Sequence, residues 1–402
     1  MTRGEFVALV AMMFATVAFS MDALLPALPD IAAELSPAEP NRAALVLTTF
    51  FFGLGVGTFF AGPLSDAFGR KRVMLLGCLL YIVAAAVAWA SATLEIMLIA
   101  RAFQGLGAAG PRIVAMAVTR DLFAGRDMAR IVSFIMIVFA LVPGFAPAMA
   151  VGIIHLVGWR GIYAAFILFS AVTVIWMLIR LPETLTMEDR RPMRLRLMAG
   201  AVGEMFRHPT VRLSIVVQTF CMATLIAVLM LVQPIFEGVY DRGASFAYWF
   251  GAIALVSASA SWLNAVLVMR LGMRRLVTLA LGAQVVICVS VLAFGPFALA
   301  EPWGFGFFAL WQVTIFLQTG LTLGNLNAIA MEPMGHIAGM AASIISGIST
   351  VLAALIASQV VVFFDGSVMP LVIFVLAMAG MGFVLMLGMG RVEARLQGVE
   401  AR

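Results

Sequence analysis

Charge is scarce in this chain. Only 11% of its 402 residues are Asp, Glu, Lys or Arg, 63% are hydrophobic, and mean hydropathy is +1.09. A soluble globular domain is about 45–50% apolar and about 25% charged, so this composition belongs in a bilayer. Cysteine and histidine number three each. Cys78, Cys221 and Cys288 lie inside apolar runs without metal-ligand spacing and read as small buried hydrophobes. No HxxxH or HExxH arrangement occurs, which argues against a metal site. No polar stretch is long enough for a soluble domain, because about 20 apolar residues per crossing consume the length in about a dozen spans. An intramembrane enzyme is disfavoured for the same reason. Membrane depth holds no second acid, metal cluster or nucleophile–base pair.

What is present is a series of apolar runs separated by charged or Gly/Pro-rich breaks. They predict twelve helices, near residues 6–25, 43–64, 73–90, 94–118, 131–154, 162–181, 211–235, 247–268, 276–299, 305–330, 337–364 and 369–389. The first run is a span rather than a secretory signal. Only Arg3 precedes it, and Asp22 stands where a cleavage site would need small residues. With both termini placed in the cytoplasm, twenty of the 25 Lys and Arg residues fall on the inner side. Arg42, Arg160 and Arg242 fall outside, and Arg101 and Arg112 lie within helix 4. That asymmetry sets the orientation. It also accounts for the net charge of +5 without nucleic acid as a partner.

The longest polar stretch divides the chain into an N-terminal six-helix half (1–182), a cytoplasmic linker (183–209) and a C-terminal six-helix half (210–402). The helix 2–3 connection ends Gly69-Arg70-Lys71-Arg72. The helix 8–9 connection carries Gly272 ahead of Arg274-Arg275 at the corresponding point. Parallel six-helix repeats predict a substrate site near the midplane and alternating access by rocking of the halves.

Three constellations carry chemistry. In the stretch from Gly62 to Arg72, Gly62 and Gly69 permit close approach and a tight turn, and Asp66 faces the basic trio Arg70, Lys71 and Arg72. An ion-pair lock on the cytoplasmic face follows, with the N-terminus of helix 11 near Ala338 and Gly339 as a second partner for Asp66. In helix 4, Arg101 lies seven residues from the outer end, about 10 Å deep. A charge there costs about 2.5–3.5 kcal/mol on insertion scales and needs a cavity or a partner. Arg112, eleven residues on, falls about 20° from the same face, along a stripe with Gln104, Ala108, Ala115 and Thr119. It either contacts a polar group of the substrate or caps carbonyls freed near Pro111. Asp22, the sole acid within the membrane, lies in the outer half of helix 1, where it can meet Arg101. A lone carboxyl beside a movable cation has the chemistry of a proton carrier; the bland alternative is a helix-end residue wetted from outside.

The Gly62–Arg72 stretch resembles the helix 2–3 signature of the major facilitator superfamily, and Arg101-Ala102-Phe103-Gln104-Gly105-Leu106-Gly107 resembles its second signature. Asp22-Ala23-Leu24-Leu25-Pro26, Gly158-Trp159-Arg160, Leu181-Pro182-Glu183-Thr184 and the run from Met331 to Gly339 are similar to the bicyclomycin/chloramphenicol-resistance branch of drug:proton antiporters. The resemblance implies an all-α membrane protein with the major facilitator fold of twelve helices. It also implies that Asp22 and Arg101 couple transport to protons. In helix 5 the antiporter pattern departs after Ala146-Pro147, where Ala150 and Val151 replace the usual glycine pair.

The second half has no intramembrane charge. Its candidate cavity residues are Gln218, Gln233, Asn264, Trp311, Gln312, Gln318 and Asn325, which otherwise serve as glue between helices. Neutral polar and aromatic walls suit uncharged or amphiphilic drugs. The expectation is a monomeric exporter of small drug-like compounds in a bacterial inner membrane, with protons as coupling ion and no other cofactor. The alternative is a proton-coupled uptake symporter for a sugar or metabolite.

Overall fold

The computed structural model describes residues 1–188, 190, 195–300 and 302–400. Among these the regular elements are all helical. Eleven segments are long and apolar enough to cross a bilayer. A twelfth helix, Leu94–Leu122, is equally long but carries Arg101 and Arg112 in its middle, which lowers its hydropathy. Twelve spans therefore stand as the spacing predicted.

The first span begins at α1 (Arg3–Asp22), where Thr2 and Glu5 form a reciprocal capping box. The predicted continuous helix to residue 25 is interrupted. Helix α1 stops at Asp22, a 3₁₀ turn covers Leu25–Ala27, and α2 (Leu28–Leu35) resumes. Pro26 and Pro29 explain the break, since neither can donate the backbone hydrogen bond that a continuous helix needs. Next come α3 (Leu45–Phe68), α4 (Arg70–Trp89), α5 (Leu94–Leu122), α6 (Gly125–Val157) and α7 (Gly161–Arg180). An amphipathic helix, α8 (Leu195–Arg207), occupies the expected linker.

After α9 (Pro209–Gly238), the predicted eighth span is split at Ala258 into α10 (Phe246–Ser257) and α11 (Ser259–Leu271). The series closes with α12 (Met273–Phe294), α13 (Trp303–Met331), α14 (Ala338–Phe363) and α15 (Met369–Glu400).

The chain forms two compact units. One comprises Met1–Arg194 with Gly243–Ala252, the other Leu195–Arg242 with Ile253–Arg402. The division falls inside the predicted linker, and the start of α10 groups with the first unit. There the bare Gly251 lets its backbone approach the carbonyl of Gly144 on α6, 2.6 Å from where a Cβ would stand.

In the first unit α5 is the central post. Glycines on both sides bring backbones into contact: a Cβ on Gly53 of α3 would lie 1.8 Å from the Ala102 carbonyl, and one on Gly77 of α4 would lie 2.7 Å from the Gly107 carbonyl. The core of this unit joins α1, α4, α5, α6 and α7 through Leu9, Met13, Met74, Val114, Ile135 and Met177. In the second unit Val217, Cys221, Leu281, Leu326 and Met386 join α9, α12, α13 and α15. Leu76, Ile99, Ile179, Trp262, Val362 and Val384 are each more than half exposed. Such outward apolar surface fits lipid rather than water.

Candidate functional site

At the arginine-rich end of the first unit, Gly69 joins α3 to α4 with φ of +100°, in the region where a side chain is strained. That turn lets Arg70 fold back along α3. Its guanidinium bonds Asp66 and the Ser65 hydroxyl (2.7 Å), while Nε donates to Asp121 at 3.1 Å. Arg70 is only 6% exposed, although its partner Asp66 remains about half exposed. The Glu183 carboxylate accepts from the backbone N–H groups of Arg70 (2.9 Å) and Lys71 (3.2 Å). A carboxylate at a helix N-terminus satisfies orphan donors and complements the dipole. Lys71 Nζ donates to the Leu178 carbonyl at 3.0 Å, and the Thr184 hydroxyl donates to Asp121 at 3.3 Å. The Gly62 carbonyl accepts from Ser65, whereas Arg72 points outward and is exposed. Sequence reasoning paired Asp66 with the basic trio but missed Asp121 and Glu183. The signal for Glu183 was its place in the Leu181–Thr184 motif.

A second constellation lies at membrane depth. Arg101 is fully buried. Its Nε donates to the Val46 carbonyl (3.2 Å), Nη1 to Gln104 Oε1 (2.7 Å) and Nη2 to the Ser20 carbonyl (2.9 Å). The guanidinium also lies 4.3 Å over the Phe50 ring. The Ser20 hydroxyl shares a 2.5 Å hydrogen bond with the Tyr81 hydroxyl. Among the described residues, two polar atoms of this buried cluster, Gln104 Nε2 and Tyr163 Oη, have no hydrogen-bond partner.

The expected ion pair of Asp22 with Arg101 is not formed. Among the described residues no ion pair or side-chain hydrogen bond involves Asp22, which is 5% exposed. The cause is the helix break. Termination of α1 frees its last carbonyls, and that of Ser20 accepts from the guanidinium. Asp22 stands two residues on, at the break itself.

Arg112 is only partly buried and has no hydrogen-bond, ion-pair or ring partner among the described residues. The capping alternative fails on geometry. Pro111 frees the Gly107 carbonyl, and that oxygen is pressed against Gly77 of α4.

At the opposite end of the first unit, one carboxylate gathers the Gly158-Trp159-Arg160 motif. Trp159 Nε1 donates to Glu34 at 2.8 Å and Arg160 Nη1 donates to it at 2.5 Å. Arg160 also donates to the Ser91 (2.9 Å) and Trp89 (3.1 Å) carbonyls. This clasp fixes α2 beyond the break that carries Asp22.

In the second unit the predicted amides other than the partly exposed Asn264 are buried, and they fall into separate groups. Asn325 donates to Asn264 Oδ1 at 2.7 Å, and Gln318 to Thr322 at 3.4 Å and Cys221 Sγ at 3.5 Å. Those pairings are interhelical or local glue. Among the described residues, Gln218 Oε1, Gln233 Oε1 and both ends of the Gln312 amide have no hydrogen-bond partner. Trp311 packs against Phe297 and Phe308.

Comparison with known proteins agrees with this architecture. The model of the Major Facilitator Superfamily matches residues 9–358. A bicyclomycin resistance protein homolog of Haemophilus influenzae is 26% identical over 351 residues, covering 85% of each chain. A chloramphenicol resistance protein of Pseudomonas aeruginosa is 34% identical over 145 residues, which is 36% of this chain and 34% of that one. The crystal structure of a D-xylose-proton symporter superposes with a TM-score of 0.72 at 14% identity, over 96% of this chain and 97% of that one. At that identity the likeness concerns the fold alone.

Proposed function

The chain belongs to the major facilitator superfamily of membrane transporters, and from that premise we propose that it is a proton-coupled drug exporter of the bicyclomycin/chloramphenicol-resistance type. It moves small amphiphilic or neutral antibiotics outward by alternating access, in exchange for protons. It resides in a bacterial inner membrane with the arginine-rich end and both termini in the cytoplasm. One observation carries the reading: Asp22 stands buried at the break of the first span, unpaired among the described residues, two positions after the Ser20 carbonyl that holds the Arg101 guanidinium. A buried carboxyl without a salt bridge suits a proton carrier, because it changes charge without first dismantling one. The names of the relatives support drugs as cargo.

The deciding experiment is a susceptibility panel including bicyclomycin and chloramphenicol, in cells lacking their own exporters. Expression should raise resistance to at least one compound, and Asp22→Asn should cancel the gain. Increased susceptibility on expression would instead indicate uptake.

A further inference from the structure

The two arginines of α5 differ in what they face. Arg101 has all three of its guanidinium nitrogens bonded within the protein. Arg112 lies ten residues from the Leu122 end and eighteen from the Leu94 end of α5, about 15 and 27 Å by helical rise. This is well inside a bilayer, yet the guanidinium meets no carboxylate, carbonyl or ring among the described residues. Two faces of α5 are closed by backbone contact. Gly105, Leu106 and Ala109 meet α3, and Gly107, Gly110 and Pro111 meet α4. At 100° per residue Arg112 projects between Gly105 and Ala108, toward the remaining face. A half-buried charge at this depth persists where it faces water or a ligand. A guanidinium fork matches a planar acid better than any neutral group.

We infer, on the exporter reading above, that Arg112 receives the acidic group of the transported compound, so the preferred cargo includes amphiphilic organic monoanions such as aromatic carboxylates. One charge is the limit because Arg101 is already occupied. Exchange of one monoanion outward for one proton inward would move two positive charges inward, so an interior-negative potential drives it.

The test is equilibrium binding to the purified full-length protein of three probes that share one ring system: naphthoate, naphthamide and naphthylmethylammonium. The wild type should bind naphthoate about tenfold more tightly than naphthamide, as one charge-assisted hydrogen bond implies. Naphthylmethylammonium should bind weakest. Arg112→Gln should abolish the carboxylate preference, and Arg112→Lys should keep part of it. Arg126→Gln, which removes an exposed charge at the end of α6, should keep all of it. Equal binding of the three probes, no binding of naphthoate, or a preference that survives Arg112→Gln would overturn the assignment. The readout is binding alone, so failure of proton-driven export in the cell assay would leave it standing.

Discussion

At membrane depth the first unit holds Asp22, Arg101 and Arg112, whereas the second holds amides and aromatic rings and keeps its charged residues at helix ends. Each unit mixes bonded and unbonded polar groups: among the described residues Asp22 and Arg112 stand unbonded in the first, as Gln312 does in the second. Arg101 is held by three hydrogen bonds and a ring, while Gln312 is fully buried with neither end of its amide bonded among the described residues. A fixed cation beside an unpaired carboxyl is an arrangement for handling a proton. Unpartnered neutral amides are an arrangement for lending hydrogen bonds to something else. On the function proposed above, ion coupling falls to the first unit and neutral recognition to the second.

Removing the fixed cation should break this contrast most severely. Arg101→Ala leaves the Ser20 and Val46 carbonyls and Gln104 Oε1 without their donor, at about 1–3 kcal/mol for each buried orphan. Loss of transport and a lower melting temperature are expected. Arg101→Lys should recover only part of the loss, because an ammonium cannot reach three acceptors with a planar fork. Full activity in the Lys variant would show that charge alone suffices.

Asp66→Ala tests the arginine-rich end. Without its i,i+4 partner Arg70 keeps Ser65 and Asp121, so the fold should survive. Labelling of a cysteine placed in the inner half of α6 or α14 should rise. Unchanged labelling with and without drug would reduce Asp66 to a loop residue. Glu183→Gln should cost about 1 kcal/mol of thermal stability, since it weakens a charged cap on α4. The smallest effect belongs to the second unit. Gln312→Leu should leave the melting temperature unchanged or slightly higher, because it removes two unbonded polar atoms, whereas Gln104→Leu should lower it. Equal losses in the two variants would erase the distinction between a bonded and an orphaned amide.

Much of this fold could be read from periodicity and arginine asymmetry, including α5 despite its two charges. The break at Asp22 could not be placed by hydropathy, because Leu24, Leu25 and Leu28 continue the apolar run through it. Only Pro26 and Pro29 mark it. Asp66 with Arg70 was legible from i,i+4 spacing. Asp121 and Glu183 were not, since they come from residues 51 and 113 positions away from Arg70. The same limit explains why Arg101 was expected to choose Asp22. Charge can be read from sequence, but the backbone carbonyls freed at a helix end cannot.

The most direct test of proton coupling uses purified protein in liposomes, with a drug taken from a positive susceptibility panel. An imposed pH gradient should drive accumulation of that drug by the wild type. Asp22→Asn should bind the drug yet accumulate it only to background, because an amide cannot exchange the proton. Gradient-driven accumulation by Asp22→Asn at the wild-type rate and with the same pH dependence would contradict the account.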